Sequence, residues 1–246
     1  DTFSSRGLGD VYKRQDNMTY SVFVIDMISG CAAVDHVDVS VTVPTGGAVG
    51  VVDHVKISID SGGMQTGGLG LQDKFGNDVA NMGDLNGDGI VDIAVGTPLD
   101  DDGDGGQGAV YILFMNAANT VDSFQKISET AGNFSGDLFK QDQFGYTVAA
   151  DDINGDGRKE LFVGARLDDD GGTGNTERGA VWTLFLNADG TVDTYQKISA
   201  THGGFTGVLD VQDQFGYSVG AIGDINGDGT PDPVSYTHLT LPTMRT

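Results

Sequence analysis

The sequence predicts an all-β protein built from repeated units, and three observations support this prediction. Short apolar runs recur along the chain without a helical period. Two markers, Lys-Ile-Ser and Phe-Gly, each occur three times at spacings of 69 to 71 residues. A loop rich in Asp and Gly accompanies them in every copy.

Each repeat contains four strand-like segments, which in the second copy span 144–149, 160–164, 179–186 and 192–199. A single four-stranded unit cannot bury both of its faces, so such units pack side by side, and radial packing produces a β-propeller. An open solenoid is the alternative, but about 70 residues is long for one solenoid coil. We therefore expect a partial β-propeller over residues 51–232, with about two and a half blades that do not close into a ring.

The loop rich in Asp and Gly has the composition of a metal-binding loop. Its three copies carry oxygen-bearing side chains at positions 1, 3, 5 and 9, with glycine at position 6. Together with the residue at position 7, such a loop suits a hard cation that takes about six to eight oxygen ligands, and the natural ion is Ca²⁺. The predicted ligand residues are Asp84, Asn86, Asp88, Ile90 and Asp92 in the first loop, Asp152, Asn154, Asp156, Arg158 and Glu160 in the second, and Asp224, Asn226, Asp228, Thr230 and Asp232 in the third.

A tight turn with a solvated acidic face is the alternative for each loop, because Asp, Asn and Gly are also common turn residues. Three copies at matched positions favour the metal site. An EF-hand loop would carry an acid at position 12 and then a helix, but Val95 and Val163 stand there inside strand-like runs. We therefore expect the loop to cap a hairpin. The third repeat stops at Asp232, so we expect its loop to have no hairpin to close.

Several motifs of the first repeat occur in a fixed order, namely Phe75-Gly76, the loop, and the box at 92–98 that ends in Gly-Thr-Pro. In this order they closely resemble the FG-GAP repeat of integrin α-subunit propellers and of many bacterial surface proteins. The resemblance covers about 56–232. The second copy departs from it, with Arg166 in place of the proline and Glu160 in place of Asp at position 9.

The FG-GAP resemblance implies a partner-binding face opposite the Ca²⁺ loops. That face would contain the loops between second and third strands and the inter-blade connections at 128–143 and 199–214. Two acidic runs, 100–106 and 168–172, fall on the former loops. Three interpretations of these runs stay open: solvated loops, a second cation site, or a contact for a basic partner.

The N-terminal part of the chain has a different pattern. Residues 16–43 contain two alternating strand-like segments and a turn, which is typical of the closing hairpin of an immunoglobulin-like or PKD-like β-sandwich. Residues 44–50 have linker composition.

Both ends resemble translated sequencing-adapter sequence, from about residue 5 to 15 and again at 234–243. Residues 1–15 and 233–246 are therefore excluded from fold reasoning, and we expect the rest to be a fragment cut at both ends.

Composition restricts the function. The chain has 36 Asp and Glu residues against 13 Lys and Arg residues, which argues against nucleic acid or an anionic membrane as partner. It has no apolar run long enough for a membrane insertion. We find no nucleophile or phosphate-loop motif, and every acid pair sits in a repeated turn, whereas a catalytic pair is set apart by its environment. The chain is therefore predicted not to be an enzyme.

These observations predict a non-catalytic calcium-binding module of a secreted or cell-surface protein, which mediates adhesion or binds an extracellular protein or glycan. The alternative is an accessory domain of an extracellular hydrolase or lyase whose catalytic domain lies outside this fragment. The coding sequence beyond the two ends would separate them: a catalytic domain there favours the second function, and an anchoring or sorting signal favours the first.

Overall fold

The computed structural model describes residues 19–23, 38–42, 53–64, 69–70, 72–102, 105–170 and 176–237. These residues form thirteen strands and no helix. The strands are β1 (Thr19–Phe23), β2 (Asp38–Thr42), β3 (Asp53–Val55), β4 (Val79–Gly83), β5 (Asp92–Thr97), β6 (Ala109–Met115), β7 (Val121–Ile127), β8 (Phe144–Asp151), β9 (Glu160–Ala165), β10 (Ala180–Leu186), β11 (Val192–Ile198), β12 (Ser218–Ala221) and β13 (Pro233–Tyr236). The all-β prediction is confirmed.

Two four-stranded antiparallel sheets form the centre of the repeat region. The first blade has the strand order β4-β5-β6-β7, and the second blade has the order β8-β9-β10-β11. Each blade follows the chain as a simple meander, because every connection joins neighbouring strands. The four predicted segments of the second repeat agree with β8 to β11 to within two residues at each end. This architecture is that of partial β-propeller blades.

Hydrophobic packing between units explains why they stack. One buried cluster joins the first blade to the second, and includes Met82, Ile112, Phe144, Leu161 and Trp182. Because each sheet is apolar on both faces, burial of one face requires the neighbouring unit. The inner strands β5, β6 and β9 are buried along their whole length.

A two-stranded unit, β12-β13, follows the second blade. Its Phe215 and Val219 pack with Phe162 and Val181 of the second blade. The expectation that the third loop has no hairpin to close is wrong, because β13 pairs with β12 from Ser218↔Tyr236 to Ala221↔Pro233. The physical reason is that an edge strand presents unpaired backbone groups, which any extended segment can satisfy.

The N-terminal strands β1, β2 and β3 form a separate three-stranded sheet in that order. The pairing of β1 with β2 agrees with the predicted hairpin, while its membership of a sandwich domain stays a prediction. The strand β3 pairs with β2 and not with a blade, although it lies in the range 51–232 that we assigned to the repeats. The predicted linker at 44–50 and the terminal segments 1–15 and 238–246 lie outside the described residues.

Candidate metal centre

The first loop connects β4 to β5 and is shaped by its own side chains. The Asp84 carboxylate accepts hydrogen bonds from the backbone N–H groups of Gly87 (2.8 Å), Asp88 (2.9 Å) and Gly89 (2.8 Å). The side chain of Asn86 accepts from the N–H of Asp88 at 2.9 Å. These short-range bonds fold the loop into successive turns in which the polar side chains replace backbone acceptors.

The second and third loops repeat this hydrogen-bond frame. The carboxylates of Asp152 and Asp224 accept from the glycines at positions 4 and 6, at 2.7 and 2.9 Å in the second loop and at 2.6 and 2.7 Å in the third. The side chains of Asn154 and Asn226 both accept from the N–H at position 5 at 2.8 Å. The same residue types therefore produce the same local geometry three times.

The acid at position 9 anchors each loop to the strand that follows. Asp92 is fully buried, where it accepts from the N–H of Leu85 at 3.0 Å and from the N–H of Met115 in β6 at 3.1 Å. Burial raises the pKa of Asp92 above its usual value, although these hydrogen bonds act in the opposite direction. Glu160 takes the equivalent place in the second loop, where it accepts from the N–H of Ile153 at 2.8 Å, and burial also raises its pKa. The longer side chain thus reaches the same backbone position.

The side chains of the first loop are oxygen donors of the kind that Ca²⁺ takes. An ionised carboxylate has about four lone-pair sites, and Asp84 and Asp92 each use three of theirs for backbone N–H groups. Free lone pairs also remain on Asp88 and on the Asn86 side-chain oxygen. In the part of the chain that the structure describes, no three acidic, histidine or cysteine side chains converge closely enough to enclose a metal ion as they stand. Binding would therefore require the exposed carboxylates to turn inward.

The two acidic runs are not simple solvated loops. Asp100 is buried, and Lys126 of β7 lies 2.8 Å from Asp100 and 2.7 Å from Asp102. Burial raises the pKa of Asp100 to about 6. Burial also acts on Asp102, but hydrogen bonds from Lys126, Ser128 and Thr130 hold the pKa of Asp102 below its usual value. The ammonium group of Lys126 thus supplies the positive charge beside the carboxylates of the first run.

The second acidic run forms a related cluster in the second blade. Lys197 of β11 lies 2.8 Å from the fully buried Asp168 and 3.9 Å from Asp170. Asp170 instead accepts from Thr201 at 2.9 Å and lies 3.4 Å from the Nδ1 atom of His202. We call these two clusters the lysine clamps. They tie the loop between the second and third strands to the fourth strand of the same blade.

Arg166, which replaces the proline of the first repeat, lies between the second blade and the β12-β13 unit. It donates hydrogen bonds to Gln143 at 2.7 Å and to Gln214 at 3.0 Å. Its guanidinium lies 4.3 Å from the ring centroid of Tyr146 and 5.7 Å from that of Tyr217. These two aromatic rings belong to neighbouring units, so the arginine connects them through cation–π contacts.

Comparisons with known proteins agree with this geometry. A family model described as FG-GAP repeat matches residues 75–113 and 144–184, which contain the first and second loops. The chain contains two FG-GAP repeats. It is similar to integrin alpha-PS2 of Drosophila melanogaster, with 28% identity over 152 residues, or 61% of this chain and 10% of the relative. It is also similar to human integrin alpha-6, with 30% identity over 166 residues, or 67% of this chain and 12% of the relative. The chain therefore spans about an eighth or less of the length of these two relatives.

The glycines of the FG-GAP motifs have a direct structural role at the junctions between units. A Cβ atom on Gly96 would lie 2.1 Å from the carbonyl oxygen of Gly145, and one on Gly164 would lie 2.1 Å from that of Gly216. Any side chain at Gly96 or Gly164 would force the units apart. The Phe-Gly of one repeat therefore packs against the box glycine of the repeat before it.

No helix in the described residues is both long and apolar enough to cross a membrane.

Sequence analysis found the loops but missed the lysine clamps and the contacts of Arg166. A signal for the clamps was present, since Lys-Ile-Ser and the acidic run both recur in the first and second repeats. Their pairing could not be predicted, because 26 and 29 residues separate the bonded side chains.

Proposed function

We propose that this chain is a non-catalytic, calcium-binding β-propeller module of a secreted or cell-surface protein, which mediates adhesion or ligand binding. The observation that carries the proposal is the hydrogen-bond frame that three loops share. The integrin α-subunits among its relatives support an extracellular setting. The formal charge of −23 suits a chain that meets divalent cations and argues against polyanions as partners.

The calcium ligands in this proposal are the side chains at positions 1, 3, 5 and 9 and the backbone carbonyl at position 7. When bound, the ion supplies positive charge that offsets the mutual repulsion of the carboxylates, which is on the order of 1 kcal/mol or more per close pair. The second loop should bind more weakly. Both oxygens of Glu160 accept hydrogen bonds, one from the N–H of Ile153 and one from Nδ2 of Asn154, and its longer side chain loses more conformational freedom than that of an aspartate when an ion fixes it.

The partner in this proposal is an extracellular protein or glycan that binds the face opposite the calcium loops. Exposed apolar side chains on the inter-blade connections support this choice, namely Phe139, Val208 and Val211. Large apolar groups on an otherwise acidic surface are typical of contact sites.

Calcium titration by calorimetry, combined with thermal melting, tests the metal proposal. Extracellular modules bind Ca²⁺ with dissociation constants of about 10⁻⁴ to 10⁻³ M, and saturation at about 100 times that constant stabilises the folded state by about 2.7 kcal/mol per site. Millimolar Ca²⁺ should therefore raise the melting temperature, and Mg²⁺ should do so less because it demands octahedral geometry.

Asp88→Ala should abolish uptake at the first loop, while Asp122→Ala, which removes an exposed carboxylate of β7 outside every loop, should leave uptake unchanged. If calorimetry detects no uptake at several times the expected dissociation constants and a chelator leaves the melting temperature unchanged, the loops are ordinary acidic turns.

A further inference from the structure

Each calcium-type loop contains an Asn-Gly pair at positions 3 and 4: Asn86-Gly87, Asn154-Gly155 and Asn226-Gly227. The glycines have φ angles of 82°, 75° and 78°, in the left-handed region that favours glycine. A Cβ atom on any of them would meet nothing within 4 Å. The backbone turn therefore favours glycine through its φ angle, and the space beside each glycine Cα is open.

A glycine directly after asparagine, with no side chain to shield the peptide bond between them, permits a known type of covalent chemistry. After loss of its proton to hydroxide, the glycine nitrogen attacks Cγ of the asparagine and a C–N bond forms. The Cγ–Nδ2 bond then breaks, the departing group takes a proton from water and leaves as ammonia, and hydroxide is regenerated. Water then opens the resulting succinimide at either carbonyl to give aspartate or isoaspartate. Water is the only co-reactant, and no oxidant or reductant is needed.

We propose that Asn86, Asn154 and Asn226 are sites of spontaneous deamidation, and that the hydrogen bonds of each loop set the rate at its own asparagine. The proposal rests on these bonds and does not require metal binding.

In each loop, one hydrogen bond holds the glycine nitrogen that would attack the asparagine side chain. The N–H of Gly87 donates to Asp84 at 2.8 Å, that of Gly155 to Asp152 at 2.7 Å, and that of Gly227 to the carboxylate at position 1 of the third loop at 2.6 Å. A carboxylate at this distance retains the amide proton and repels the amide anion that attack requires. The loop must therefore open locally before the reaction begins.

A second hydrogen bond holds the Nδ2 group of the asparagine, which leaves in the reaction. Its acceptor and length differ between the three loops. In the second loop, the Nδ2 atom of Asn154 donates to Glu160 at 2.8 Å and to Asp156 at 3.2 Å. In the first loop, Asn86 donates to Asp88 at 3.0 Å. In the third loop, the amide of Asn226 makes a longer bond, 3.3 Å, to the acid at position 9. The leaving group is thus held most firmly in the second loop.

The third loop is also the easiest to open. Its position-9 acid, Asp232, is partly exposed, whereas Asp92 is fully buried and bonded to β6. The strand β13 that closes the third hairpin is largely exposed and pairs only with β12. We therefore expect deamidation to be fastest at Asn226, slower at Asn86 and slowest at Asn154.

The test is to incubate the whole chain in mildly alkaline buffer with a chelator, and to follow the mass gain of each loop peptide by mass spectrometry. The folded chain should show the stated order, whereas in urea the three sites should react faster and at similar rates. Asn187, which is followed by alanine, is the internal reference and should react more slowly than any loop in urea. Equal rates in folded and unfolded chains, or a reversed order, would overturn the proposal.

Two variants test whether the hydrogen bonds of each loop control the deamidation rate at that loop only. Asp84→Ala should accelerate Asn86 alone and Asp152→Ala should accelerate Asn154 alone, each by about tenfold or more, the factor expected for loss of a hydrogen bond to a charged group. A uniform rise at all three sites in both variants would contradict local control. Because chelator is present throughout, the outcome is independent of whether the loops bind calcium.

Discussion

The second blade and the β12-β13 unit carry the same motifs but differ in how much of a sheet surrounds them. Their loops have the same hydrogen-bond frame, with matching bonds from position 1 to the glycines. Their cores differ. Phe134, on the connection before the second blade, is 4% exposed, whereas Phe205 at the same place before the β12-β13 unit is 36% exposed.

The reason for this difference is the presence or absence of third and fourth strands. Phe134 packs against Trp182 of β10 and Tyr195 of β11, at centroid distances of 5.2 and 5.0 Å, whereas Phe205 contacts Phe215 alone among the aromatic rings that the structure describes. The loop is therefore specified by residues close in sequence, while the blade core depends on strands that are distant in sequence.

The largest expected effect comes from truncating the Phe-Gly phenylalanine in each unit. Phe144→Ala should reduce the free energy of unfolding by about 3–5 kcal/mol, because it leaves a cavity in a closed aromatic cluster. Phe215→Ala should cost about half as much, because its cluster is already partly open to solvent. Urea denaturation of the two variants measures the difference, and equal losses would mean that the β12-β13 unit is as well packed as the second blade.

Removing the cation of a lysine clamp should come next. Lys197→Met leaves Asp168 buried without its partner, and breaking a buried ion pair in this way costs about 3 kcal/mol or more. Lys140→Met, at an exposed position on the connection, should change stability by about 0.5 kcal/mol or less. If both variants unfold at the same urea concentration, the clamp contributes nothing to the second blade.

A further effect should appear in the pH dependence of stability. Burial raises the pKa of Asp142 to about 8, with the charge of Asp168 acting in the same direction. Between about pH 4 and pH 8 the folded chain therefore holds a proton that the unfolded chain has released, so this group stabilises the fold fully below about pH 4 and loses that contribution as the pH rises through about 8.

Asp142→Asn removes the titrating proton but retains an acceptor for the N–H of Phe139. Its free energy of unfolding should fall less steeply over that range than that of the natural chain. Parallel curves for the two proteins would show that Asp142 is ionised in the folded state.

The smallest effect should follow deletion of residues 233–246. Because β13 is largely exposed, its loss should change the stability of the two complete blades by about 0.5 kcal/mol or less. Hydrogen exchange of the amides in β8 to β11 provides the measurement. A loss of several kcal/mol would show that these residues belong to the repeat fold and are not foreign sequence.

How much the sequence revealed depended on the distance between interacting residues. The loops and the strand meander were predictable, because their signals lie within one turn or one alternating segment. The burial of Asp100 and Asp168 was not, because an acidic, glycine-rich run has the composition of a solvated loop until its distant lysine is known. The role of Arg166 was hidden for the same reason, since its partners Tyr146 and Tyr217 lie in two different units.

The glycine contact between successive units also bears on how such chains grow. Each repeat brings both halves of the junction, the Phe-Gly that packs on the repeat before it and the box glycine that receives the repeat after it. An in-frame duplication of one repeat therefore creates a new junction that already fits, with no compensating substitution elsewhere. The number of repeats can therefore change without disturbing the junctions that hold them together.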